Sequence, residues 1–125
     1  MPDNKPGFRV DFYKREDGSK PVGEFIKSLE LKMKAKVVAG LQLLEEYGNL
    51  AREPLSKELD EGIFELRMKQ GSDIVRILYF FDKERIVVAT NGLVKKDRKT
   101  PKGEINLAKR RREDYYRRKE AGTYE

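Results

Sequence analysis

Three strand-like segments follow one another in the second half of the chain, and they constrain the fold more than any other feature. From Phe64 to Met68, apolar side chains alternate with charged ones, as in a strand that buries one face. The segment Ile74–Phe81 is apolar on both sides apart from Arg76, and Arg85–Val94 forms the third strand-like segment. Because short polar turns separate the three, they predict an antiparallel meander.

The first half of the chain has a different period. Residues 8–13 alternate and predict one half-buried strand. Between residues 22 and 47 the apolar positions recur every three or four residues, which predicts an amphipathic helix, or two helices broken near Glu30. Pro21 suits the first helical position, and Gly48 is a typical helix end.

A last helix is predicted to begin at Thr100-Pro101, with Thr100 as N-cap and Pro101 at the first helical position. Residues 1–7 and 120–125 are expected to fray. The element order β-α-α-β-β-β-α separates strands from helices, which favours an α+β fold with one antiparallel sheet. At 125 residues, the chain is expected to form one domain, residues 1–125.

The residue types that are missing exclude several kinds of active site. The chain has no Cys and no His, so disulfides, thiolate catalysis, Cys-based zinc sites and Ser-His-Asp triads are excluded. Acid–base chemistry would therefore depend on Asp, Glu, Lys, Arg or Tyr. The N-terminal residues lack the apolar segment of a signal peptide, and the apolar runs are only strand-sized, which predicts a cytoplasmic protein with no membrane association.

The positive charge is concentrated near the C-terminus. The whole chain has a formal charge of +6, whereas residues 95–120 contain twelve basic and five acidic residues. The remainder is close to neutral. Such clustering is typical of proteins that bind a polyanion, most often nucleic acid, although a solvated basic helix face would show the same pattern.

The basic residues of the meander and of the next helix start are expected to meet on one exposed face of the sheet. The opposite face would pack on the helices of residues 21–47. Arg76 stands among apolar neighbours, where its charge is costly to bury unless a ligand or a partner such as Glu65 needs it. The cations of this predicted surface are Arg67, Arg76, Lys95, Lys96, Lys99 and Lys102.

A cationic surface without histidine is compatible with RNA cleavage. A base removes the proton of the ribose 2′-OH, the oxygen attacks the adjacent phosphorus, and cations stabilise the dianionic transition state. A lysine among other cations can have its pKa lowered enough to act as the base. This reaction requires no metal or other cofactor, and it is specific for RNA because DNA lacks the 2′-OH.

The strand segments, taken in order, resemble the HigB toxins of the RelE/ParE superfamily, in the subgroup of phage-derived host-addiction proteins. The resemblance extends from about Val10 to Arg118. The matching segments are Lys57-Glu58-Leu59, Ile63–Arg67, Ile74–Phe80, Asn91–Lys96 and Lys99–Pro101, followed by Glu104-Ile105, Ala108, Arg112 and Asp114-Tyr115. The departure is at Asn91-Gly92-Leu93, where many relatives have His-Gly-Phe.

The resemblance implies a RelE-like domain: two N-terminal helices against a twisted antiparallel sheet, with a short C-terminal helix at its edge. It implies the toxin of a type II toxin–antitoxin pair that enters the ribosomal A site and cuts mRNA there. It also implies a helix-turn-helix antitoxin of the HigA type as partner, through which the complex binds its operator DNA.

The resemblance also implies roles for individual residues. Arg67 and Arg76 would stabilise the scissile phosphate, and Lys95 or Lys96 would act as base or as a further phosphate ligand. The residues expected to bind RNA are Lys57, Asn91, Lys99 and Lys102. Two alternatives stay open: a ParE-like toxin that inhibits DNA gyrase, and a non-enzymatic basic module that contacts nucleic-acid backbones.

Overall fold

The computed structural model of the protein describes residues 7–95 and 99–124. In that part of the chain the helices are α1 (Pro21–Lys27), α2 (Leu31–Tyr47) and α3 (Lys102–Ala121), with a 3₁₀ turn at Gly48–Leu50. The strands are β1 (Arg9–Phe12), β2 (Ser56–Asp60), β3 (Ile63–Gln70), β4 (Asp73–Asp82) and β5 (Ile86–Lys95). This arrangement is the predicted α+β class.

The strands form one sheet in the order β1-β5-β4-β3-β2. The predicted meander is confirmed, because β3, β4 and β5 pair antiparallel as consecutive neighbours. The expectation of an entirely antiparallel sheet is wrong, since β1 pairs parallel with β5 at one edge. Strand β2 was not predicted either: it is a polar strand at the other edge, where few side chains are buried and alternation is weak.

The break near Glu30 is confirmed. Helix α1 starts at Pro21 and ends at Lys27, and the hydroxyl of Ser28 donates to the Phe25 carbonyl. Glu30 is extended, so α2 starts afresh at Leu31. Helix α2 ends at Tyr47, and Gly48 is its C-cap. Gly48 has a φ of +52° and lies against the ring of Phe8, so both its backbone angle and the tight contact favour glycine.

One face of the sheet packs on α1 and α2, as predicted. The buried residues at this contact form one apolar cluster. Its helix residues are Val22, Met33, Val37 and Leu44, and its strand residues are Leu66, Met68, Val75, Ile77, Tyr79, Val87 and Ala89.

Helix α3 covers much of the opposite face, which the sequence was expected to leave exposed. Ala108 and Tyr115 of this helix pack with Leu78, Phe80 and Val88 of the sheet. With 20 residues, α3 is also longer than expected and does not lie at the sheet edge. Thr100 is not its N-cap: Pro101 occupies that position.

The C-terminal segment packs against Tyr13 and Lys14, the two residues that follow β1. The predicted fraying is therefore not seen in the part of this segment that the structure describes. The hydroxyl of Tyr124 accepts a hydrogen bond from the Lys14 backbone N–H at 2.9 Å. The guanidinium of Arg118 lies over the rings of Tyr13 and Tyr124. Of the segment 1–7, only Gly7 is described. None of the described helices has the length and apolar character needed to cross a membrane.

Candidate functional site

Near the start of α3, charged side chains from two strands meet on the second face of the sheet. Arg67 of β3 and Arg76 of β4 are paired directly across the strands. Glu65 lies two residues before Arg67 and therefore on the same face. The strand alternation that the sequence predicted thus brings the two arginines together.

Glu65 is the centre of this charge cluster. Its carboxylate lies 3.7 Å from Nε of Arg76 and 3.4 Å from Nε of Arg67, and it also accepts a hydrogen bond from the Thr100 hydroxyl. The Glu65 side chain is 1% exposed. The alternative interpretation of Arg76, an ion pair with Glu65 across the strands, is confirmed.

The two arginines differ in their access to solvent. The Arg76 side chain is 0% exposed, whereas that of Arg67 is 27% exposed. The prediction that both lie on an open surface is therefore wrong for Arg76, because Glu65 and Thr100 hold it beneath the surface. Arg67 is the member of the pair that a ligand can contact directly.

Arg67 borders a groove of about 530 Å³. The groove is lined by Pro54, Leu55, Arg67, Lys69 and Ile74. The sequence interpretation did not single out Lys69, although its position two residues after Arg67 places it on the same strand face.

The other predicted lysines are spread around this end of the sheet. Lys95, at the end of β5, is half-buried opposite Ile74. Lys99 and Lys102 are exposed at the start of α3. Lys57 is exposed on the edge strand β2, opposite Glu65 in the sheet register, with its Nζ 3.9 Å from a carboxylate oxygen of Glu53. Lys96 lies outside the described residues.

Asn91 is 4% exposed and turned toward α3. Its amide nitrogen donates to the backbone carbonyl of Glu104 at 3.2 Å and to the side-chain carboxylate of that residue at 2.9 Å. The structure thus places Asn91 as a link between β5 and α3, and its predicted contact with RNA loses its support because the side chain is enclosed.

Many cations of the basic C-terminal region form ion pairs within the molecule. Lys109 contacts Asp60 and Glu61 at 2.6 and 2.9 Å, and Lys119 contacts Asp82 at 2.9 Å. Arg118 pairs with Asp114 at 2.7 Å. The surface that can attract a polyanion is therefore smaller than the charge distribution along the sequence suggested.

The ionic contacts of α3 perturb two carboxyl groups. Burial acts to raise the pKa of Asp82, but hydrogen bonds from Tyr115 and Lys119 outweigh it and lower that pKa. The pKa of Asp114 is lowered in the same way, because hydrogen bonds from Tyr13 and Arg118 outweigh its burial. Burial, together with the hydrogen bond to Asp82, strongly raises the pKa of Tyr115. These groups fasten α3 and lie away from the Arg67 groove.

The Arg67 surface has the chemistry of an anion site. A guanidinium presents paired N–H donors to phosphate oxygens, and lysine adds a mobile positive charge. Among the described residues, no group of three or more acidic side chains is placed to hold a metal ion.

Comparisons with known proteins agree with this architecture. The model of a family described as "Phage derived protein Gp49-like (DUF891)" matches residues 24–113. A search of curated proteins gives no match. Among solved structures, the chain is similar to one in the "Crystal structure of archaeal RelE-RelB complex from Pyrococcus horikoshii OT3", with 18% identity and a TM-score of 0.50. The similarity covers 74% of this chain and 99% of that one, and it shows that the fold is RelE-like.

Proposed function

The chain belongs to the phage-derived Gp49-like family, a family of RelE/HigB-like proteins, and from this premise we propose that it is the toxin of a type II toxin–antitoxin pair. Its activity would be ribosome-dependent cleavage of mRNA, which stops translation. The observation that carries this proposal is the partly exposed Arg67, fixed by the buried Glu65 at the edge of an open groove.

The reaction fits the side chains that are present. The ribose 2′-oxygen attacks the adjacent phosphorus in line, the bond from phosphorus to the 5′-oxygen breaks, and a 2′,3′-cyclic phosphate and a 5′-hydroxyl result. A base takes the 2′-OH proton, and the departing 5′-oxygen gains a proton. Two negative charges develop on the phosphoryl oxygens, and fixed cations stabilise this transition state.

We assign the roles by exposure. Arg67 contacts the scissile phosphate, and Arg76, beneath the surface, adds positive charge and holds Glu65 in place. Lys95 or Lys96 serves as base or as a further phosphate ligand, since β5 ends beside this surface. The exposed Lys57, Lys99 and Lys102 hold the RNA backbone or the ribosome.

The proposed partners follow from the proposed activity. An antitoxin, expected to be a helix-turn-helix protein of the HigA type, neutralises the toxin, and the complex binds operator DNA through the antitoxin. The solved structure with the similar fold is a RelE–RelB complex, which supports a protein partner of this kind. The ribosomal A site, its mRNA and a cytoplasmic location belong to the same proposal.

The test is a cleavage assay with purified protein and ribosomes programmed with a defined mRNA. The protein is expected to produce fragments that end in a 2′,3′-cyclic phosphate, and Arg67→Ala is expected to cut roughly 10²-fold more slowly. Arg52→Ala is the matched control, because Arg52 is an exposed arginine whose side chain donates to nearby backbone carbonyls.

Other outcomes would replace the proposal. Intact mRNA together with inhibited DNA gyrase would indicate a ParE-like toxin. Intact mRNA and unaffected gyrase, with salt-sensitive binding to nucleic acid, would indicate a non-enzymatic module. If Arg67→Ala cuts as fast as the parent protein, the active site lies elsewhere.

A further inference from the structure

The groove beside Arg67 has two kinds of lining. Pro54, Leu55 and Ile74 provide an apolar interior, and Arg67 and Lys69 provide two cations. A phosphate alone needs the cations but not the apolar interior. The combination suits a ligand with a flat apolar body and an anionic edge.

The walls of this groove are fixed by the backbone of the sheet. The backbone N–H of Arg67 donates to the carbonyl of Leu55 at 2.8 Å, which joins the segment before β2 to β3. Lys69 is paired with Ile74 across β3 and β4. The lining residues of these three chain segments are thus hydrogen-bonded or paired in strand register, so the groove is already formed without a ligand. Little binding free energy is therefore spent on ordering the groove when a ligand binds.

The two cations lie on β3, between the segment that carries Leu55 and strand β4, which carries Ile74. Arg67 and Lys69 are two residues apart on β3, which is about 6.8 Å along a strand. Lys69 is exposed and forms no ion pair within residues 7–95 and 99–124. At about 530 Å³, the groove is within the usual size range of small-ligand sites.

We propose that this groove is a nucleotide subsite for single-stranded RNA. One base lies between Leu55 and Ile74, and Lys69 binds a phosphate of the same strand next to the one that Arg67 contacts. Apolar side chains can sandwich a base in this way, as they do in enzymes that take a base out of its stack. This inference rests on the proposed function, because it takes RNA as the substrate.

Direct binding tests the subsite without any cleavage. ¹⁵N-labelled protein is titrated with trinucleotides whose 2′-oxygens are methylated, so that they cannot be cut, and amide shifts are followed by NMR. We expect shifts at Leu55, Lys69 and Ile74 that depend on the base. Inorganic phosphate, titrated separately, is expected to move Lys69 but not Leu55 or Ile74.

Two variants separate the charge from the apolar interior. Lys69→Ala is expected to weaken binding to all trinucleotides and to lower the salt slope of log Kd by about 0.7, the value for one phosphate contact on a single strand. Lys32→Ala is its control, since Lys32 is an exposed lysine on α2, across the sheet. Leu55→Ser is expected to weaken binding about fivefold and to reduce the preference between bases. Leu50→Ser, at a 70% exposed leucine, is its control.

The outcomes distinguish this inference from the function on which it rests. If ribosome assays show no cleavage but the trinucleotides shift the groove amides, the subsite stands and the nuclease proposal fails. If mRNA is cut but the groove amides do not move, or move equally with inorganic phosphate, the subsite is overturned. It is also overturned if Leu55→Ser, with an unchanged melting temperature, keeps the base preference of the parent protein at the cut site.

Discussion

Glu65 shows how one side chain can organise a site that the chain's basic residues alone could not form. Two arginines placed opposite each other in adjacent strands would repel, and one of them is fully buried. A buried carboxylate between them compensates the desolvation of Arg76 and limits the orientations open to Arg67. The cluster keeps one net positive charge, and the part of it that reaches solvent is Arg67.

The isosteric change Glu65→Gln tests this interpretation. It removes the compensating charge and is expected to lower the free energy of unfolding by about 3–5 kcal/mol, because Arg76 is left buried with its charge uncompensated. The double variant Glu65→Gln/Arg76→Met, which removes both charges, is expected to recover most of that loss. Urea unfolding measures both values.

Glu24→Gln is the control for the Glu65 experiment. Glu24 pairs with Arg15 at 3.2 Å on the surface, and exposed pairs of this kind contribute less than about 1 kcal/mol. A double variant no more stable than Glu65→Gln alone would show that the pairing with Arg76 is not what makes Glu65 important to stability.

At the scale of elements, α3 is held to the sheet by ionic and aromatic contacts along its second half. Asp82, at the end of β4, accepts from the hydroxyl of Tyr115 at 2.6 Å and from Lys119. Asp114 accepts from the hydroxyl of Tyr13 at 2.6 Å and from Arg118. These contacts explain why a helix of low mean hydropathy stays on the sheet.

The anchoring of α3 is expected to weaken in acid. The folded-state pKa values of Asp82 and Asp114 lie below their ordinary value of 3.8, so the unfolded chain binds protons more readily than the folded one. The stabilisation is therefore complete above the ordinary value and is lost as the pH falls through the lower, folded-state values. Urea unfolding between about pH 6 and pH 2 is expected to show the free energy of unfolding decreasing below about pH 5.

The double variant Asp82→Asn/Asp114→Asn isolates the two carboxyl groups. It is expected to be less stable at neutral pH and to lose less stability on acidification than the parent protein. If the free energy of unfolding falls equally steeply with decreasing pH in the parent and the double variant, the acid sensitivity comes from other carboxylates.

At the scale of the whole molecule, the sheet has an apolar layer packed on each of its two faces. Leu44 of α2 lies in one layer and Leu78 of β4 in the other, and both are 0% exposed. Because adjacent residues of β4 alternate between the layers, neither layer can be lost without disturbing the other. We therefore expect the chain to unfold as one cooperative unit, in keeping with a single domain over residues 1–125.

Matched substitutions in the two layers test this cooperativity. Leu44→Ala and Leu78→Ala are each expected to lower the free energy of unfolding by about 2–5 kcal/mol. Leu31→Ala, at an 82% exposed position, is expected to change it by less than about 0.5 kcal/mol. The far-ultraviolet circular dichroism and tyrosine fluorescence transitions should coincide, and earlier loss of the tyrosine signal in Leu78→Ala would make α3 a separate unit.

The sequence predicted those parts of the fold that depend on local periodicity. The alternation from Phe64 to Met68 and the spacing of residues 22–47 correctly indicated β3 and the two N-terminal helices, including their break near Glu30. The polar strand β2 lacks such a pattern. The parallel pairing of β1 with β5 depends on contacts far apart in the sequence, which no local pattern encodes.

Local alternation also predicted part of the site. Strand parity correctly put Glu65, Arg67 and Arg76 on one face, but it could not show that Glu65 and Thr100 bury Arg76 and leave only Arg67 of the two arginines accessible. The register shift in the β4–β5 pairing, between the partners of Leu78 and Tyr79, reverses the alternation near Thr90. It turns Asn91 toward α3, and strict alternation along β5 does not anticipate that change of face.

The pairing of β1 with β5 has a consequence for the order of events during synthesis. Arg9 leaves the ribosome early, but its partner in the sheet, Ile86, is translated only after every other strand has been made. Strand β1 therefore lacks its pairing partner until β5 has been synthesised. Contacts so distant along the chain slow folding, so we expect the complete sheet to form only after β5 has been synthesised.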